Sequence, residues 1–257
     1  MSVPKPTVCL FAGDSLTEGT CGESYVERVR RTLVRHGWPD VQAVNEGRGG
    51  DTARSLLARL AGPLQEHRPA CVVLAIGTND VWFRWQAEHS LGWWLWLRAR
   101  QARTGQVPTA NLDRFGALYR ALIDQSRSLG GAHVVACTIS PVGERLSSPL
   151  NRQVARLNGV IQHVALERQV PVAGVWQAFV EHLAVMPHLS DHLPHTWWSL
   201  AWDMRRLQSL PADELARRRG LHLTYDGIHL NSRGADLWAA TVLAALGVRT
   251  TSGTSGR

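Results

Sequence analysis

Cysteine is scarce in this chain, and no two cysteines stand in a pairing motif. The sequence holds four, none of them in a C-x-x-C arrangement, at Cys9, Cys21, Cys71 and Cys137. Three of the four fall inside predicted strands, where a cysteine usually behaves as a small buried hydrophobe. We therefore expect free thiols rather than disulfides, which is typical of a cytoplasmic protein.

Long apolar runs are missing as well. No run approaches the roughly 20 residues of a membrane-spanning helix. The first predicted strand is reached by Thr7 without a charged and then apolar leader, so we expect no secretory signal. The 257 residues, 44% of them hydrophobic, are enough to bury a substantial core. They favour one domain over 1–248, followed by a small, polar and disordered tail over 249–257.

Acidic residues are outnumbered, with 21 Asp and Glu against 28 Lys and Arg, and the net charge is +7. The excess is arginine spread over several segments rather than gathered in one basic stripe. This distribution argues against a nucleic-acid partner. It supports no more than weak contact with an anionic membrane surface, and it leaves the oligomeric state open.

Strand and helix patterns alternate along most of the chain. Five short runs rich in Val, Ile and Ala predict strands at 7–11, 41–44, 70–76, 133–139 and 170–175. Helical patterns lie between and after them, at 23–36, 52–60, 111–129, 150–168 and 232–246. Such alternation predicts an α/β protein with a parallel sheet covered on both faces.

Polar side chains that could take part in a reaction are grouped in four turns of this pattern. Ser15 follows the first strand, between Gly13 and Gly19, which let the backbone turn sharply into a helix. Taken alone, a serine there is more often a turn or cap residue. The four turns are Gly13-Asp14-Ser15-Leu16, the glycine-rich 45–52, Gly77-Thr78-Asn79-Asp80 and Asp226-Gly227-Ile228-His229. Right-handed crossovers would bring them together at the carboxyl edge of the sheet.

The four turns contain the parts that serine-based ester cleavage requires. Ser15 is the candidate nucleophile, His229 the base, and Asp226 the carboxylate that orients His229 from three residues earlier. The candidate oxyanion donors are the backbone N–H groups of Ser15 and Gly50 and the side-chain amide of Asn79. Asp14 and Asp80 are expected to hydrogen-bond the turns that hold Ser15 and Asn79. This chemistry requires no metal.

In these four blocks, which span Gly13 to His229 in order, the sequence resembles the SGNH or GDSL-type hydrolases. The resemblance implies a flavodoxin-like three-layer α/β/α fold with a five-stranded parallel sheet in the order 2-1-3-4-5. It also implies esterase, lipase, thioesterase or carbohydrate-deacetylase activity on a small-molecule ester, without a cofactor. Gly50 takes the oxyanion role in this alignment because it precedes Asp51 and Thr52.

Two other readings of single motifs are weaker. The glycine-rich turn 45–52 opens a helix and resembles a phosphate cradle, but it lacks the P-loop lysine and the spacing of a dinucleotide fingerprint. His188, His192 and His195 have a spacing that would present metal ligands along a helix, yet Pro194 breaks that helix. We therefore predict no metal site, with the histidines at the surface or in a lid.

Tryptophan is abundant, and eight of the eleven fall in two insertions, at about 81–110 and 182–220: Trp82, Trp85, Trp93, Trp94, Trp96, Trp197, Trp198 and Trp202. In one interpretation, the two irregular segments pack on each other and use the aromatics as a small core of their own. Alternatively they form a cap, with Trp82, Trp85, Trp197 and Trp198 lining an acyl or sugar subsite. The run 91–97 is followed by arginines and resembles an interfacial anchor that suits a lipid substrate.

We interpret the sequence as a serine ester hydrolase that acts through an acyl-enzyme on a small or lipid-like carboxylic ester. A carbohydrate O-deacetylase or a thioesterase is the alternative within the enzyme class. The alternative from another class is a non-catalytic module that binds lipid or anions on the same fold.

Overall fold

The computed structural model describes residues 8–38, 40–194 and 196–248. Its centre is a five-stranded parallel sheet, in which the strands, numbered along the chain, lie in the order 2-1-3-4-5. The strands are β1 Val8–Gly13, β2 Gln42–Gly47, β3 Cys71–Ala75, β4 His133–Cys137 and β5 Val172–Ala173. This order confirms the predicted α/β fold. The predicted tail 249–257 lies outside the described residues.

The central strands are buried on both faces because each contributes to two cores. Leu10 and Val72 point to one core, whereas Cys9 and Cys71 point to the other, as the two-residue period of a strand requires. The four cysteines are all buried and free, as predicted. In β1 the last residue, Gly13, pairs with Gly47 and Ala75, so three strands end side by side.

Helices cover both faces of the sheet and give three layers. The bounds are α1 Ser15–Glu18, α2 Tyr25–Arg35, α3 Ala53–Arg59, α4 Ala61–His67, α5 Thr78–His89, α6 Leu91–Thr104, α7 Leu112–Gly130, α8 Pro149–Glu167, α9 Val175–Ala184, α10 Trp197–Arg206, α11 Ala212–Arg219 and α12 Ser232–Ala245. One core is completed by α3, α4, α5, α6, α7 and α8, and the other by α2, α9 and α12. None of the described helices is long and apolar enough to cross a bilayer.

The predicted helix boundaries match because the capping residues are visible in the sequence. Asn111 accepts a hydrogen bond from the N–H of Arg114 at the start of α7, and Ser148 with Pro149 begins α8. Asn231 caps α12 through the N–H of Gly234. These caps place each helix start within two residues of its prediction.

Two expectations about individual segments are wrong. The fifth strand spans two residues rather than the predicted 170–175, because α9 already begins at Val175, directly after Gly174. The two insertions were expected to be irregular, yet they hold α5 and α6 in the first and α10 and α11 in the second. In α5 and α6 the apolar residues are not confined to one face, which obscures the helical period there. The Ser90 cap of α6 and the capping box of Thr196 and Ser199 in α10 nevertheless mark two helix starts.

Candidate active site

Ser15 stands at the junction of β1 and α1. Asp14 caps α1, since its Oδ1 accepts a hydrogen bond from the N–H of Leu16 at 3.0 Å. The carbonyl of Asp14 accepts two more, from the N–H groups of Thr17 and Glu18. The half-buried Ser15 is therefore held on a rigid turn at the carboxyl edge of the sheet, the edge where α/β proteins bind ligands.

A chain of hydrogen bonds joins Ser15 to the turn before α12. Oγ of Ser15 lies 3.1 Å from Nε2 of His229, and Nδ1 of His229 lies 2.7 Å from Oδ2 of Asp226. The ionised Asp226 can only accept, so Nδ1 carries a proton and donates it, and Nε2 is left to accept from the serine hydroxyl. The second oxygen of Asp226 accepts from the N–H groups of Ile228 and His229 at 2.9 and 2.7 Å, which fixes the carboxylate.

Burial and the charge of the partner shift the pKa values of His229 and Asp226 in opposite directions. Burial acts to lower the pKa of His229, but the Asp226 carboxylate and its hydrogen bond outweigh it, so the pKa lies above its ordinary value of 6.5. Burial acts to raise the pKa of Asp226, yet the charge of His229 and the hydrogen bonds from His229 and Ile228 keep it below its ordinary value of 3.8. The carboxylate is therefore ionised at neutral pH and supports a proton on the imidazole.

The segment that leads to Asp226 is held by a buried carboxylate that sequence analysis missed. Oε1 of Glu144 accepts from the N–H groups of Leu223 and Thr224 at 2.8 and 3.0 Å and from the Thr224 hydroxyl at 2.9 Å. Its Oε2 accepts from the N–H of His222 at 2.7 Å. Glu144 lies in the loop after β4, with no motif around it, and its partners are mostly backbone groups. No sequence pattern would have identified it.

The three candidate oxyanion donors, on Ser15, Gly50 and Asn79, border one cleft together with His229. Within the described part of the chain, the N–H groups of Ser15 and Gly50 donate to no protein acceptor. Nδ2 of Asn79, in the first turn of α5, donates one hydrogen to the carbonyl of Asp51 at 2.9 Å and carries a second. Three donors that each have a hydrogen to spare converge on one cleft beside Ser15, and this grouping indicates a place for an anionic oxygen.

Asp14 and Asp80 both hydrogen-bond backbone groups near the site, as predicted for turn residues, although the partners of Asp80 differ from expectation. The Asp80 carboxylate accepts from the N–H groups of Ala53 and Thr109, each at 2.9 Å, and so joins α3 to the chain after α6. Burial raises the pKa of Asp80 to about 6 and that of Asp14 to about 7. In Asp14, Oδ2 is buried without a hydrogen-bond partner among the described residues.

The cleft has a volume of about 450 Å³, and one part of its wall is aromatic. Trp82, Phe83 and Trp96 from the first insertion line one side, and Ala201 from α10 lies at the same cleft. Trp96 also contacts Trp93 edge to face, with 5.1 Å between ring centroids. The first insertion therefore both packs as an aromatic core and borders the cleft.

The four tryptophans suggested as substrate contacts occupy different surroundings. Trp82 is buried and lines the cleft. Trp85 stacks on His89, with 4.0 Å between ring centroids, and stands outside the set of described cleft residues. Trp198 is at the surface with 66% of its area exposed, and the side chain of Trp197 lies outside the described part of the structure. Phe83 and Trp96 also line the cleft, although sequence analysis did not include them among the suggested substrate contacts.

His188 and His192, two of the histidines considered as metal ligands, do not lie along a helix. The segment 187–194 is not helical, and the carbonyl of His188 accepts a hydrogen bond from Nε2 of His222 at 2.8 Å. His195 lies outside the described residues. Among those that are described, no three His, Cys, Asp or Glu side chains are grouped as metal ligands would be.

Comparison with known proteins supports the same chemistry. The profile of the GDSL-like lipase/acylhydrolase family matches residues 11–237. An acetylxylan esterase of Geobacillus stearothermophilus is 24% identical over 191 residues, which cover 69% of this chain and 80% of that protein. Esterase TesA of Pseudomonas aeruginosa is 35% identical over 74 residues, 28% of this chain and 36% of TesA.

Solved structures show the same fold. The acetylxylan esterase Axe2 of G. stearothermophilus superposes with a TM-score of 0.63 at 21% identity, covering 94% of each chain. An α/β hydrolase, LAE5, from the metagenome of Lake Arreo superposes with a TM-score of 0.63 at 19% identity, covering 97% of this chain and 99% of LAE5. Together with the family match over most of its length, these likenesses confirm the predicted resemblance: the chain belongs to the GDSL-like lipase/acylhydrolase family of serine ester hydrolases.

Proposed function

We propose that this protein hydrolyses carboxylic esters through an acyl-enzyme formed on Ser15. The observation that carries the proposal is the unbroken chain from Ser15 through His229 to Asp226, with spacings of 3.1 and 2.7 Å. A nucleophile, a base and an orienting carboxylate at these distances are what acyl transfer by serine requires.

The mechanism follows from these contacts. Oγ of Ser15 attacks the ester carbonyl while Nε2 of His229 takes its proton, and Asp226 stabilises the resulting imidazolium. The oxyanion accepts from the N–H groups of Ser15 and Gly50 and from the free hydrogen of Asn79. His229 then protonates the departing alcohol. A water molecule, deprotonated by the same imidazole, releases the acid and restores Ser15.

The cleft favours a compact apolar acyl group as substrate. Trp82, Phe83 and Trp96 present aromatic surface beside Ser15, and a volume of about 450 Å³ is within the range of small-molecule sites. A thioester with such an acyl group would use the same machinery.

Carbohydrate O-deacetylation is the second candidate. It is favoured by the acetylxylan esterase relative, which this chain matches over 80% of that protein's length. In this case the aromatic wall of Trp82 and Trp96 would serve as a platform for a sugar ring, and the acyl group would be acetate.

A lipid-like ester is supported by the exposed faces of the insertions. Trp94 and Leu95 of α6 are 44% and 56% exposed, and Trp202 of α10 is 58% exposed. The guanidinium of Arg98 lies over Trp94 at 5.6 Å and that of Arg206 over Trp202 at 5.9 Å. Aromatic side chains paired with cations are typical of weak contact with an anionic membrane surface.

Labelling with a fluorophosphonate, followed by peptide mass mapping, tests the nucleophile. We expect the label on Ser15, and we expect Ser15→Ala to lose both label and turnover while keeping the thermal unfolding temperature. An unlabelled Ser15, or full activity in Ser15→Ala, would contradict the proposal. The protein would then be better explained as a non-catalytic binding module with the same fold.

A series of nitrophenyl esters from acetate to laurate then separates the substrate classes. Rates that peak at acetate favour deacetylation. Rates that rise with chain length favour a lipid or thioester substrate, and anionic vesicles should then bind the protein in low salt and release it in high salt.

A further inference from the structure

Two side chains from the first insertion hydrogen-bond the glycine-rich turn 45–52. Nη2 of Arg100, in α6, donates to the carbonyl of Gly49 at 3.2 Å. Nε2 of Gln106, just after α6, donates to the same carbonyl at 3.0 Å. The two side chains also bond each other, since Nη2 of Arg100 donates to Oε1 of Gln106 at 2.6 Å. The Gly49 carbonyl is therefore held from one side by two linked donors.

The direction of this carbonyl determines the direction of the next N–H. In a planar trans peptide the C=O of Gly49 and the N–H of Gly50 point to opposite sides of the chain. With the carbonyl held toward Arg100 and Gln106, the N–H of Gly50 faces away from them. This is the N–H that has no protein acceptor among the described residues.

Further contacts hold the side chains of Arg100 and Gln106 in place. The guanidinium of Arg100 lies over the rings of Phe83 and Trp96, at 5.8 and 5.3 Å from their centroids. Gln106 is buried, and its Nε2 also lies 3.1 Å from Oδ1 of Asp51.

Gly50 itself shows how closely Arg100 approaches the turn. Its φ of +80° is in the left-handed region, and a Cβ there would collide with Nη2 of Arg100. A glycine is therefore required both for the turn and for the approach of the guanidinium.

We propose that Arg100 and Gln106 are positioning residues that orient the Gly49–Gly50 peptide so that the N–H of Gly50 faces the oxyanion. The inference rests on the proposed ester hydrolysis and extends it, because it gives the inserted helix α6 a role in transition-state stabilisation. The hydrogen bond from the charged guanidinium also polarises the peptide, which makes the N–H of Gly50 a stronger donor.

The test compares Arg100→Met and Gln106→Met with the wild type and with Arg114→Met, a control that removes an exposed arginine from α7. Methionine matches glutamine in length and keeps the aliphatic part of the arginine side chain, and it donates no hydrogen bond. The measurements are kcat and KM for a soluble nitrophenyl acetate and the inhibition constant of a phenylboronic acid. The boronate adds to Ser15 and places an anionic oxygen at the oxyanion position.

We expect kcat to fall roughly 10- to 100-fold in both variants, less than the loss of an entire oxyanion donor. The affinity for the boronate should fall by the same factor, while KM stays within about twofold, since only the transition state uses the donor. Arg100→Lys should recover part of the loss, because an ammonium supplies the charge without the planar fork. Arg114→Met should behave as the wild type.

The inference is overturned if folded variants keep kcat and boronate affinity, or if KM alone rises, which would make Arg100 a substrate contact. Thermal unfolding verifies that each variant is folded. If Arg100→Met does not fold, Arg100→Lys and Gln106→Met decide between the same outcomes. Failure of the proposed function gives a different result: the wild type then shows no ester hydrolysis, or hydrolysis that Ser15→Ala does not abolish. In that case the inference is also wrong, because it rests on the proposed function.

Discussion

Nδ1 of His229 lies 2.7 Å from Oδ2 of Asp226, and both side chains are buried. The pair lies on one turn, three residues apart, and its carboxylate is held by two backbone N–H groups. The orientation of the imidazole toward Ser15 is therefore set by local geometry, and it can be tested by removing the charge of Asp226 alone.

Asp226→Asn should lower kcat about 10⁴-fold and leave the fold intact, because the amide has a similar shape but no charge to support the imidazolium. Turnover of a soluble acetate ester and thermal unfolding give the two measurements. Activity within tenfold of the wild type would show that Asp226 does not support His229 in the reaction.

The pH profile of kcat/KM should have an acid limb with its midpoint above 6.5. His229 must be neutral to accept a proton, and its pKa is raised because the Asp226 carboxylate outweighs the effect of burial. In Asp226→Asn this midpoint should move to lower pH. The profile is measured from about pH 5 to about pH 9, and a wild-type midpoint below 6.5 would contradict the expectation.

Asp14 should make the free energy of unfolding decrease as pH rises from about 4 to about 7. Burial raises its pKa from 3.8 to about 7, so the folded state binds the proton more tightly than the unfolded chain does. The contribution is fully present below the unfolded pKa and is lost as pH rises through the folded one. The slope is at most about 1.4 kcal/mol per pH unit.

Urea unfolding of Asp14→Asn across this range provides the comparison. The asparagine Oδ1 can still accept from the N–H of Leu16, so the cap of α1 is preserved. The difference between variant and wild type isolates Asp14 from the nearby His229–Asp226 pair, and it should grow with pH. A difference that stays constant with pH would contradict the prediction.

Glu144→Gln should destabilise the protein by roughly 2–4 kcal/mol, because the two oxygens of the carboxylate accept four hydrogen bonds, whereas an amide has one acceptor oxygen. Its NH₂ would also face the N–H of His222. Urea unfolding measures the loss. Glu181→Gln, at an exposed glutamate of α9, is the control and should change stability by less than about 0.5 kcal/mol.

Trp96→Ala should widen the cleft and shift the ester preference toward longer acyl chains, because its indole forms part of the aromatic wall beside Ser15. The ratio of kcat/KM for octanoate to that for acetate is the measurement. Trp85→Ala, which removes an indole stacked on His89, is the matched control and should leave this ratio unchanged. Equal changes in both variants would argue against a specific role for Trp96.

The features that depend on short stretches of chain could be predicted from the sequence. Alternating apolar runs predicted the five strands and five of the twelve described helices, and the order of the strands was implied by the family resemblance. The turns around Ser15, Asn79 and Asp226 were recognised for the same reason, since each motif is encoded within a few consecutive residues. Hydrophobic period and turn chemistry act over these short distances, so they leave a pattern that can be recognised.

Other features were decided only by packing between distant segments. Glu144 meets Leu223 across 79 positions of chain, and Arg100 meets Gly49 across 51. Likewise, helix packing places Trp96 at the cleft and Trp85 outside the set that lines it. Local patterns and the family resemblance were therefore enough to predict the fold and the residues of the candidate reaction. The tertiary structure decided what supports them, because contacts of this kind depend on how helices pack, which no local pattern encodes.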